Sequence, residues 1–570
     1  MSTTKKITTN VNKDAGLLDL PRVKVPTSKW VSKHTNYVSM DLGDIYPIYV
    51  EEVIPKERRR ITMAMLSHMT TPQAPLLNAM YTEIRAFFVP HRLSCDLLAG
   101  YNTRKSPYVK VFGEDNAKSG ARVVVPLNEQ KLPDVSDTFA QKVCNVVRKS
   151  FGGLFDSLDY DAPDLGSGST AGTTRHTWYK GINFLSMAAY ELIYQYCYRN
   201  QNRESSTESS LYQLLFNAYN QSGYVAPAYD DSFHKANREK DYYTGAQPFT
   251  QKGDPVSVGL VGDAEVNAKV SSVASGERDT GLTVVNDGNN SFINSTEPAA
   301  SEGVTTLKLT ADLSSATGVN IEQLRLMIKT QEMLEKDMMY GTDYASSLNA
   351  HFGVNILLGF LDEPQEIKKT IVTSQMQAVL QTSSTSSEPS ILGSIGANAT
   401  TQSGDLDIVP ETFFPEYGYL IICAVHKTQN VYDSAYFKPK HIFKKARFDF
   451  FTPELEDLGY QKVDGREMKY SVNGINPIGF NESYAEYRFT ANKCHGMLEP
   501  SRPNSHDFWT TAISDYNDIQ SLYKQGVVEL NRVIAATSSV VPQFFDAYGF
   551  IEINEKPMKL HSIPGMDGVI

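Results

Sequence analysis

The segment from Tyr81 to Leu93 (YTEIRAFFVPHRL) constrains the possible fold more than any other part of the chain. Its side chains divide into two sets with a period of two, and aromatic residues are frequent, which is typical of a half-buried strand. One side of the extended backbone is largely apolar: Thr82, Ile84, Ala86 and Phe88. The other side carries Glu83 and Arg85 and is predicted to be wetter. Pro90 has no N–H for a sheet ladder, so the strand is expected to end there.

The bulk composition is that of a globular protein without an excess of positive charge. The 570 residues are 41% hydrophobic and 21% charged, and the formal net charge is −11. A chain of this length can bury a large core and usually forms several domains, although a β fold with insertions can remain a single domain. Because the chain is acidic overall, any contact with nucleic acid must use local basic patches.

Cysteine usage indicates synthesis in a reducing compartment. The five cysteines are scattered and never form a C-x-x-C pair: Cys95, Cys144, Cys197, Cys423 and Cys494. We therefore expect reduced, mostly buried thiols, with neither a disulfide framework nor a zinc site. The N-terminal MSTTKKITTN lacks the apolar core of a signal peptide. No apolar run approaches the ~18 residues of a membrane span, so none is expected.

Positive charge is concentrated in three segments. Residues 1–35 form a polar, basic N-terminal arm, Arg58–Arg60 is an arginine triplet, and residues 436–447 contain five basic residues and no acidic one. Each segment has two interpretations. It is either a solvated tail or surface, or a contact with phosphate groups or a neighbouring subunit.

Two segments have the apolar spacing of amphipathic helices. Residues 184–198 belong to a predicted helical insertion at about 130–220, and residues 321–340 are predicted to form a helix that stops at Gly341. The second helix is expected to bury one apolar face: Leu324, Met327, Ile328, Leu334 and Met338.

Two other segments have a composition unsuited to a core. Residues 254–320 are rich in Gly, Ser, Thr, Asn and Ala and contain a single aromatic residue, Phe292. They are predicted to lie on the surface, either as a disordered loop or as a small projecting β element. Residues 365–412 are similarly polar and are predicted to form a variable loop.

Motifs of catalysis and cofactor binding are absent from the sequence. It contains no HExxH, GxSxG or GxxxxGK[ST] motif, and the 11 histidines are dispersed. Acidic pairs such as Glu51–Glu52 and Glu454/Glu456 are more typical of a solvated face than of an acid–base dyad. We therefore predict no enzyme activity, no cofactor and no metal site. Shell proteins, lectin-like jelly rolls and some β-rich enzymes all remain compatible with these observations.

Eight blocks of sequence, in their order, carry a resemblance to a known family. They are MDLGDIYPIYVEEVIPKE, FFVPHRL, FLSMAAYELIYQYCYRNQNR, REKDYYTGAQPFTQKG, the 321–340 helix with GTDYASSLNAHFGV after it, FDFFTPELEDL, SYAEYRF and QFFDAYGFIEINEKPM. They resemble blocks of the major capsid proteins of the Microviridae, small icosahedral single-stranded DNA phages, and of the gokushovirus-like branch especially. The likeness extends from about residue 36 to 565. Phe249 and Thr250 stand where the family has Trp and Pro.

The resemblance assigns structural roles to a set of motif residues: Phe87, Phe88, Pro90, Arg92, Tyr242, Pro248, Phe249, Gln251, Lys252, Gly253, Tyr487, Phe544, Phe545, Pro557 and Met558. It implies one capsid domain over residues 36–570, an eight-stranded antiparallel jelly-roll β-barrel with long insertions that contain a few α-helices.

The resemblance also implies a function and partners. Pentamers would assemble into a 60-copy T=1 shell around circular single-stranded DNA, in the cytoplasm of a host bacterium, to give the virion. Expected partners are a small basic DNA-packaging protein, a pilot or minor capsid protein, and a host surface receptor that meets the 254–320 insertion. The basic residues that we single out as candidates for facing the DNA are Lys5, Lys6, Lys13, Arg58, Arg59, Arg60, Lys438, Lys440, Lys444, Lys445 and Arg447.

Two rival functions make different demands on the sequence. A lectin-like jelly-roll binding module would need a cleft lined with exposed tryptophan, and the chain contains only Trp30, Trp178 and Trp509. A hydrolase would need a carboxylate or Ser–His constellation, which the motifs do not indicate. A shell protein predicts self-assembly, and neither rival does.

Overall fold

The computed structural model describes most of the chain, in segments. These are residues 27–100, 132–147, 152–160, 178–205, 209–219, 228–253, 265–272, 276–279, 282–287, 290–295, 304–312, 321–340, 363–380, 395–443, 445–468, 479–514, 522–526, 528–535 and 541–561. The chain divides into two compact units. The larger comprises Met1–Pro248 and Asn355–Ile570, and the smaller comprises Phe249–Val354.

The strands begin, in chain order, with β1 (Ser28–Met40), β2 (Tyr46–Val53), β3 (Glu57–Met69) and β4 (Met80–Pro90). The smaller unit contains β5 (Glu265–Ser272), β6 (Gly276–Asp279), β7 (Leu282–Asp287), β8 (Asn290–Ser295) and β9 (Val304–Asp312). The larger unit continues with β10 (Gln365–Thr373), β11 (Gln375–Leu380), β12 (Ile395–Phe414), β13 (Gly418–Thr428), β14 (Tyr432–Asp433), β15 (Tyr460–Val463), β16 (Gly479–Glu482), β17 (Lys493–Cys494) and β18 (Phe544–Lys556).

The α-helices are α1 (His91–Ala99), α2 (Asp137–Val147), α3 (Leu154–Ser157), α4 (Leu185–Ile193), α5 (Ser210–Leu215), α6 (Ile321–Tyr340) and α7 (Val528–Asn531). A π-helical turn, Tyr194–Tyr198, continues α4, so the predicted helix at 184–198 is present. No helix among the described residues is both long and apolar enough to cross a membrane.

Nine strands of the larger unit form two antiparallel sheets. The first has the order β1-β18-β3-β12-β11 and the second the order β10-β4-β13-β2. Along β3 every second side chain is buried, and the side chains between them are exposed or half-buried. The buried set, which includes Ile61 and Met63, shares one apolar core with Ile84 and Phe88 of β4. The larger unit therefore has the predicted all-β core, built from two antiparallel sheets that pack face to face, with helices added.

Helices cover the opposite face of the second sheet. A further apolar core joins Phe87 of β4 to Phe139 of α2 and Tyr190 of α4. The predicted strand ends at Pro90, as expected, but the prediction that one of its faces is wet is wrong, because Glu83 and Arg85 are largely buried. The helical insertion covers this face of the sheet. The alternation of apolar and polar residues along one strand cannot show that another part of the chain will cover its polar face.

Ion pairs offset the burial of these two charges. The Glu83 carboxylate accepts hydrogen bonds from Lys427 and Lys369, each at 3.0 Å. Arg85 donates to both carboxylate oxygens of Glu366, at 2.9 and 2.6 Å. Burial would raise the pKa of Glu83, but the ammonium groups of Lys427 and Lys369 outweigh burial and hold that pKa below its usual value. Partners within the protein thus replace water on this face.

Two boundaries differ from those that the sequence predicts. β1 begins at Ser28, inside the predicted 1–35 arm, whereas residues 1–26 lie outside the described residues. The predicted variable loop at 365–412 is wrong in its described part, which contains β10, β11 and most of β12. A polar segment can form a strand when a neighbouring strand supplies hydrogen bonds. β12 pairs with β3 through three register shifts, a long-range pairing that composition does not reveal.

The sequence predicts either a disordered loop or a small β element at 254–320, and the described part of this segment contains strands. β6, β5 and β9 form a three-stranded sheet in that order, and β7 and β8 form a hairpin. The helix predicted at 321–340 is present with those bounds, as α6. Its predicted apolar face is not fully buried, since Leu324 and Ile328 are exposed.

Candidate nucleic-acid interface

The alternation of β3 divides the arginine triplet between two faces. Arg59 points into the core between the sheets, with 1% of its side chain exposed, whereas Arg58 and Arg60 point outward. Arg59 donates to Glu57 through Nε and Nη2, at 2.9 and 2.7 Å, and to the Tyr49 hydroxyl at 2.6 Å. The prediction that Arg59 faces DNA is therefore wrong, because the period of two places neighbouring residues on opposite faces.

The two outward arginines form exposed ion pairs. Arg58 lies 3.5 Å from Glu411, and Arg60 lies 3.2 Å from Asp407. Exposed pairs of this kind are weak, so a phosphate group could replace either carboxylate. The predicted DNA-facing residues of the N-terminal arm lie outside the described residues: Lys5, Lys6 and Lys13.

The basic cluster at 436–447 lies beside a cavity. Lys440 forms an ion pair with Glu486 at 2.9 Å. Lys445 Nζ lies 3.0 Å from the Tyr487 hydroxyl, and also 5.0 and 5.5 Å from the ring centroids of Tyr487 and Phe450. An acidic side chain thus holds Lys440 in place, whereas aromatic side chains hold Lys445.

The remaining members of the cluster do not line this cavity or are not described. The backbone N–H of Lys438 donates to the carbonyl of Glu467 at 2.7 Å. Arg447 is exposed and donates to the Thr452 hydroxyl at 3.2 Å. Lys444 lies outside the described residues.

The cavity has a volume of about 440 Å³ and combines aromatic, basic and acidic groups. It is lined by Tyr242, Tyr243, Pro439, Lys440, His441, Lys445, Glu467, Glu486, Tyr487, Phe489, Thr490, Ala491 and Lys493. Aromatic faces stack on bases, and ammonium groups contact phosphates. The lining therefore has the chemistry that an unpaired nucleotide requires.

The sequence predicts the basic segment of this cavity and singles out Tyr242 and Tyr487 as motif residues, but it does not predict that they meet the basic segment, or that Glu467 and Lys493 join them. Tyr487 lies in the SYAEYRF block, whose alternating aromatic residues are the only feature of the local sequence that indicates a role for it. Lys493 carries no local signal, because the parallel pairing of β14 with β17 brings it to the cavity. Glu467 lies in a short 3-10 turn, Gly465–Met468, which is too short to produce a periodic pattern of apolar residues in the sequence.

The electrostatics of the cavity change near neutral pH. Burial raises the pKa of Glu467 to about 7, and Lys440 only partly offsets this effect. Burial, together with repulsion from Lys438, lowers the pKa of Lys493. Glu467 is therefore largely neutral at pH 6 and largely ionised at pH 8, so the cavity is more positive at the lower pH.

The motif residues divide between the core and the surface. Buried members are Phe87, Phe88, Pro90, Tyr242 and Phe544. Half-buried members are Arg92, Pro248, Gln251, Lys252 and Pro557. Exposed members are Phe249, Gly253, Tyr487, Phe545 and Met558. The motif residues thus include core positions of the two sheets, such as Phe87 and Phe544, and exposed positions, such as Tyr487 and Phe545.

A histidine–aspartate pair lies in the core rather than in a cleft. His426 Nε2 is 2.8 Å from Asp546, His426 Nδ1 is 2.9 Å from the Thr82 hydroxyl, and the imidazole stacks on Phe544. Both members of the pair are buried, so their role is to connect the sheets. Among the described residues, no group of three or more His, Cys, Asp or Glu side chains is placed to hold a metal ion.

Comparison with known proteins gives the family. The sequence model of a family described as "Capsid protein (F protein)" matches residues 19–144 and 170–566. The chain belongs to this family. It is 28% identical over 566 residues to capsid protein VP1 of Spiroplasma virus 4, a match that covers 95% of this chain and 96% of that protein. It is 24% identical to capsid protein VP1 of Bdellovibrio phage phiMH2K and 24% identical to that of Chlamydia phage 1, each match covering 96% of this chain and 97% of the relative.

Membership of this capsid family confirms the predicted identity and location. The chain is a structural major capsid protein of the Microviridae, and it resides in the virion. A capsid protein works by assembling with copies of itself into a shell, so membership of the family implies a structural role rather than catalysis. The three tryptophans that a lectin-like cleft would need lie on separate elements: β1, a helical turn at Trp178, and a 3-10 turn at Asp507–Trp509.

Proposed function

We propose that this capsid protein forms a jelly roll and that sixty copies, added as pentamers, close into a T=1 shell around circular single-stranded DNA. The observation that carries the proposal is the pair of antiparallel sheets packed face to face, in a chain that aligns with capsid relatives over nearly its whole length. In this arrangement β1, β18, β3 and β12 oppose β10, β4, β13 and β2. These are the eight strands of the barrel, and β11 extends one edge.

Electron microscopy of the purified full-length chain, with and without circular single-stranded DNA, tests the shell. We expect uniform closed particles whose mass corresponds to sixty copies. Particles of another copy number would contradict T=1. A compact monomer under every condition would contradict the proposed shell.

The proposed DNA contact is the cavity beside the 436–447 cluster. Its exposed Tyr487 ring and half-buried Phe489 ring offer stacking surfaces, and Lys445 and Lys493 offer positive charge for the backbone phosphates. Such binding does not depend on base sequence, as packaging of a whole genome requires. A small basic packaging protein and a pilot protein would complete the contents of the particle.

Replacing Tyr487 with alanine is expected to weaken binding of a short deoxythymidine oligonucleotide by about 1–3 kcal/mol, the usual contribution of one aromatic–base stack. Lys445→Ala should weaken binding and also reduce its salt dependence, because one phosphate contact is lost. Fluorescence anisotropy with unassembled subunits measures both effects. Lys29→Ala is the control, since Lys29 is exposed and does not line the cavity. Equal losses in all three variants would contradict the site.

The pH dependence of the same binding tests the role of Glu467. Because the pKa of Glu467 is raised to about 7, the cavity loses a negative charge as the pH falls from 8 to 6, and binding should become tighter. Glu467→Gln should remove most of this dependence. A variant that retains the full dependence would show that Glu467 does not cause it.

The 254–320 insertion is proposed to project from the outer surface and meet the host receptor. The support for this proposal is its composition and its place in a separate compact unit. Deleting 254–320 should leave particle assembly intact and abolish attachment to host cells. Loss of assembly would contradict this assignment.

A further inference from the structure

We propose that an aromatic surface in the 442–458 segment forms a two-fold contact with a second copy of this chain. The inference rests on the proposed function, because it names one contact of the proposed shell. The aromatic surface consists of Ile442, Phe448, Phe450, Phe451 and Leu458, all of which are exposed. Phe448 is 72% exposed and Phe450 50%. Soluble monomers rarely leave clustered rings so open, and such patches mark interaction sites.

Local hydrogen bonds fix the backbone of residues 446–451, so the three phenylalanine rings are held outward. The buried Tyr484 donates its hydroxyl to the carbonyls of Phe448 and Phe450, at 3.3 and 3.2 Å. Asp449 accepts a hydrogen bond from the backbone N–H of Ala446 at 2.7 Å. The Phe451 ring packs on Tyr484, with a centroid distance of 5.2 Å. A segment that is already ordered loses little conformational entropy when a partner covers it.

The charges that flank the rings point to a second copy as the partner. Arg447 precedes the phenylalanines and Glu454 follows them, and both are exposed. Among the described residues, neither forms an ion pair within the chain. A two-fold axis through the rings would place two such segments in opposite directions. Arg447 of each copy would then face Glu454 of the other, around a shared aromatic centre.

Family membership supplies the remaining argument for this partner. A capsid protein must cover part of its surface with identical copies, and a two-fold contact uses the same patch on both subunits. The aromatic surface meets this requirement in its chemistry, with exposed apolar rings and, in the same segment, one cationic and one anionic side chain, Arg447 and Glu454. This proposal assigns Arg447 to a subunit contact rather than to DNA.

The experiment compares particle assembly of full-length variants by sedimentation and electron microscopy. Phe448→Ser combined with Phe450→Ser should raise the protein concentration needed for closed particles by at least about tenfold, since two apolar anchors are lost. Phe413→Ser is the matched control, because this ring is similarly exposed, at 53%, but lies on β12. Unchanged thermal unfolding of each variant shows that the subunit still folds.

A charge exchange tests the two-fold geometry. Arg447→Glu places like charges together at both ends of the contact and should reduce assembly. Adding Glu454→Arg in the same chain restores opposite charges across the axis and should recover most of it. The proposal is overturned if the double-serine variant assembles like the wild type, if the control loses as much, or if the second charge change gives no recovery.

The same comparison separates this inference from the proposed function. Wild-type particles decide whether the chain forms the proposed shell, and the variants decide whether this surface builds it. A double-serine variant that assembles normally but no longer attaches to host cells would assign the surface to the host and overturn the two-fold contact.

Discussion

Replacing Arg59 with leucine is expected to lower the free energy of unfolding by about 3–5 kcal/mol, the usual cost of removing one partner of a buried ion pair. The change leaves the Glu57 carboxylate buried without the guanidinium that donates to it twice, and the Tyr49 hydroxyl loses its donor. Urea-induced unfolding, followed by tryptophan fluorescence, measures the loss. Since the pair lies in the core between the two sheets, a large fall in particle yield should accompany it.

Arg58→Leu provides a matched control on the same strand. Arg58 is the adjacent residue and has the same side chain, but it is exposed, pairs with the exposed Glu411 and lies 6.0 Å from the centroid of the exposed Phe413 ring. Its loss should change the free energy of unfolding by no more than about 0.5 kcal/mol. Similar losses in the two variants would contradict the division of the triplet between the two faces.

The division of the triplet shows what a sequence can reveal about this fold. Local rules predicted the end of β4 at Pro90 and the bounds of α6, because proline chemistry and helical periodicity depend on near neighbours. They did not predict which face of a strand is buried, since that depends on layers contributed by distant segments. Glu83 is an example: its environment is set by Lys427 and Lys369.

Long-range pairing also explains the errors at β10–β12 and the missing walls of the cavity. The polar composition of 365–412 resembles a loop, yet β12 gains its strand conformation from hydrogen bonds to β3. Lys493 reaches the cavity through β17 and Glu467 through a turn, so their proximity to Lys440 exists only after folding. The family resemblance identified the function because it compares whole blocks in order, which does not require these contacts to be known.

The second large effect is expected at Asp546, which links the two sheets. His426 and Tyr548 each donate a hydrogen bond to its carboxylate at 2.8 Å, and His426 in turn contacts Thr82 on β4. Asp546→Ala leaves these groups buried without an acceptor and should lower the free energy of unfolding by about 3–5 kcal/mol. Glu411→Ala, which removes an exposed carboxylate, is the control and should have little effect.

The dependence of this contribution on pH follows from the pKa of Asp546. Burial would raise that pKa, but the electrostatic attraction of His426, together with the hydrogen bonds from His426, Ser67 and Tyr548, outweighs burial and holds it below its usual 3.8. A carboxyl group whose pKa is lowered by folding stabilises the protein above the pKa of the unfolded chain, about 3.9, and this contribution is lost as the pH falls through the folded value.

The difference in stability between the wild type and Asp546→Asn should therefore be constant above about pH 5 and shrink below pH 4. Urea unfolding of both proteins at a series of pH values measures this difference. If it stays constant or grows in acid, the ionised carboxylate is not what joins the sheets.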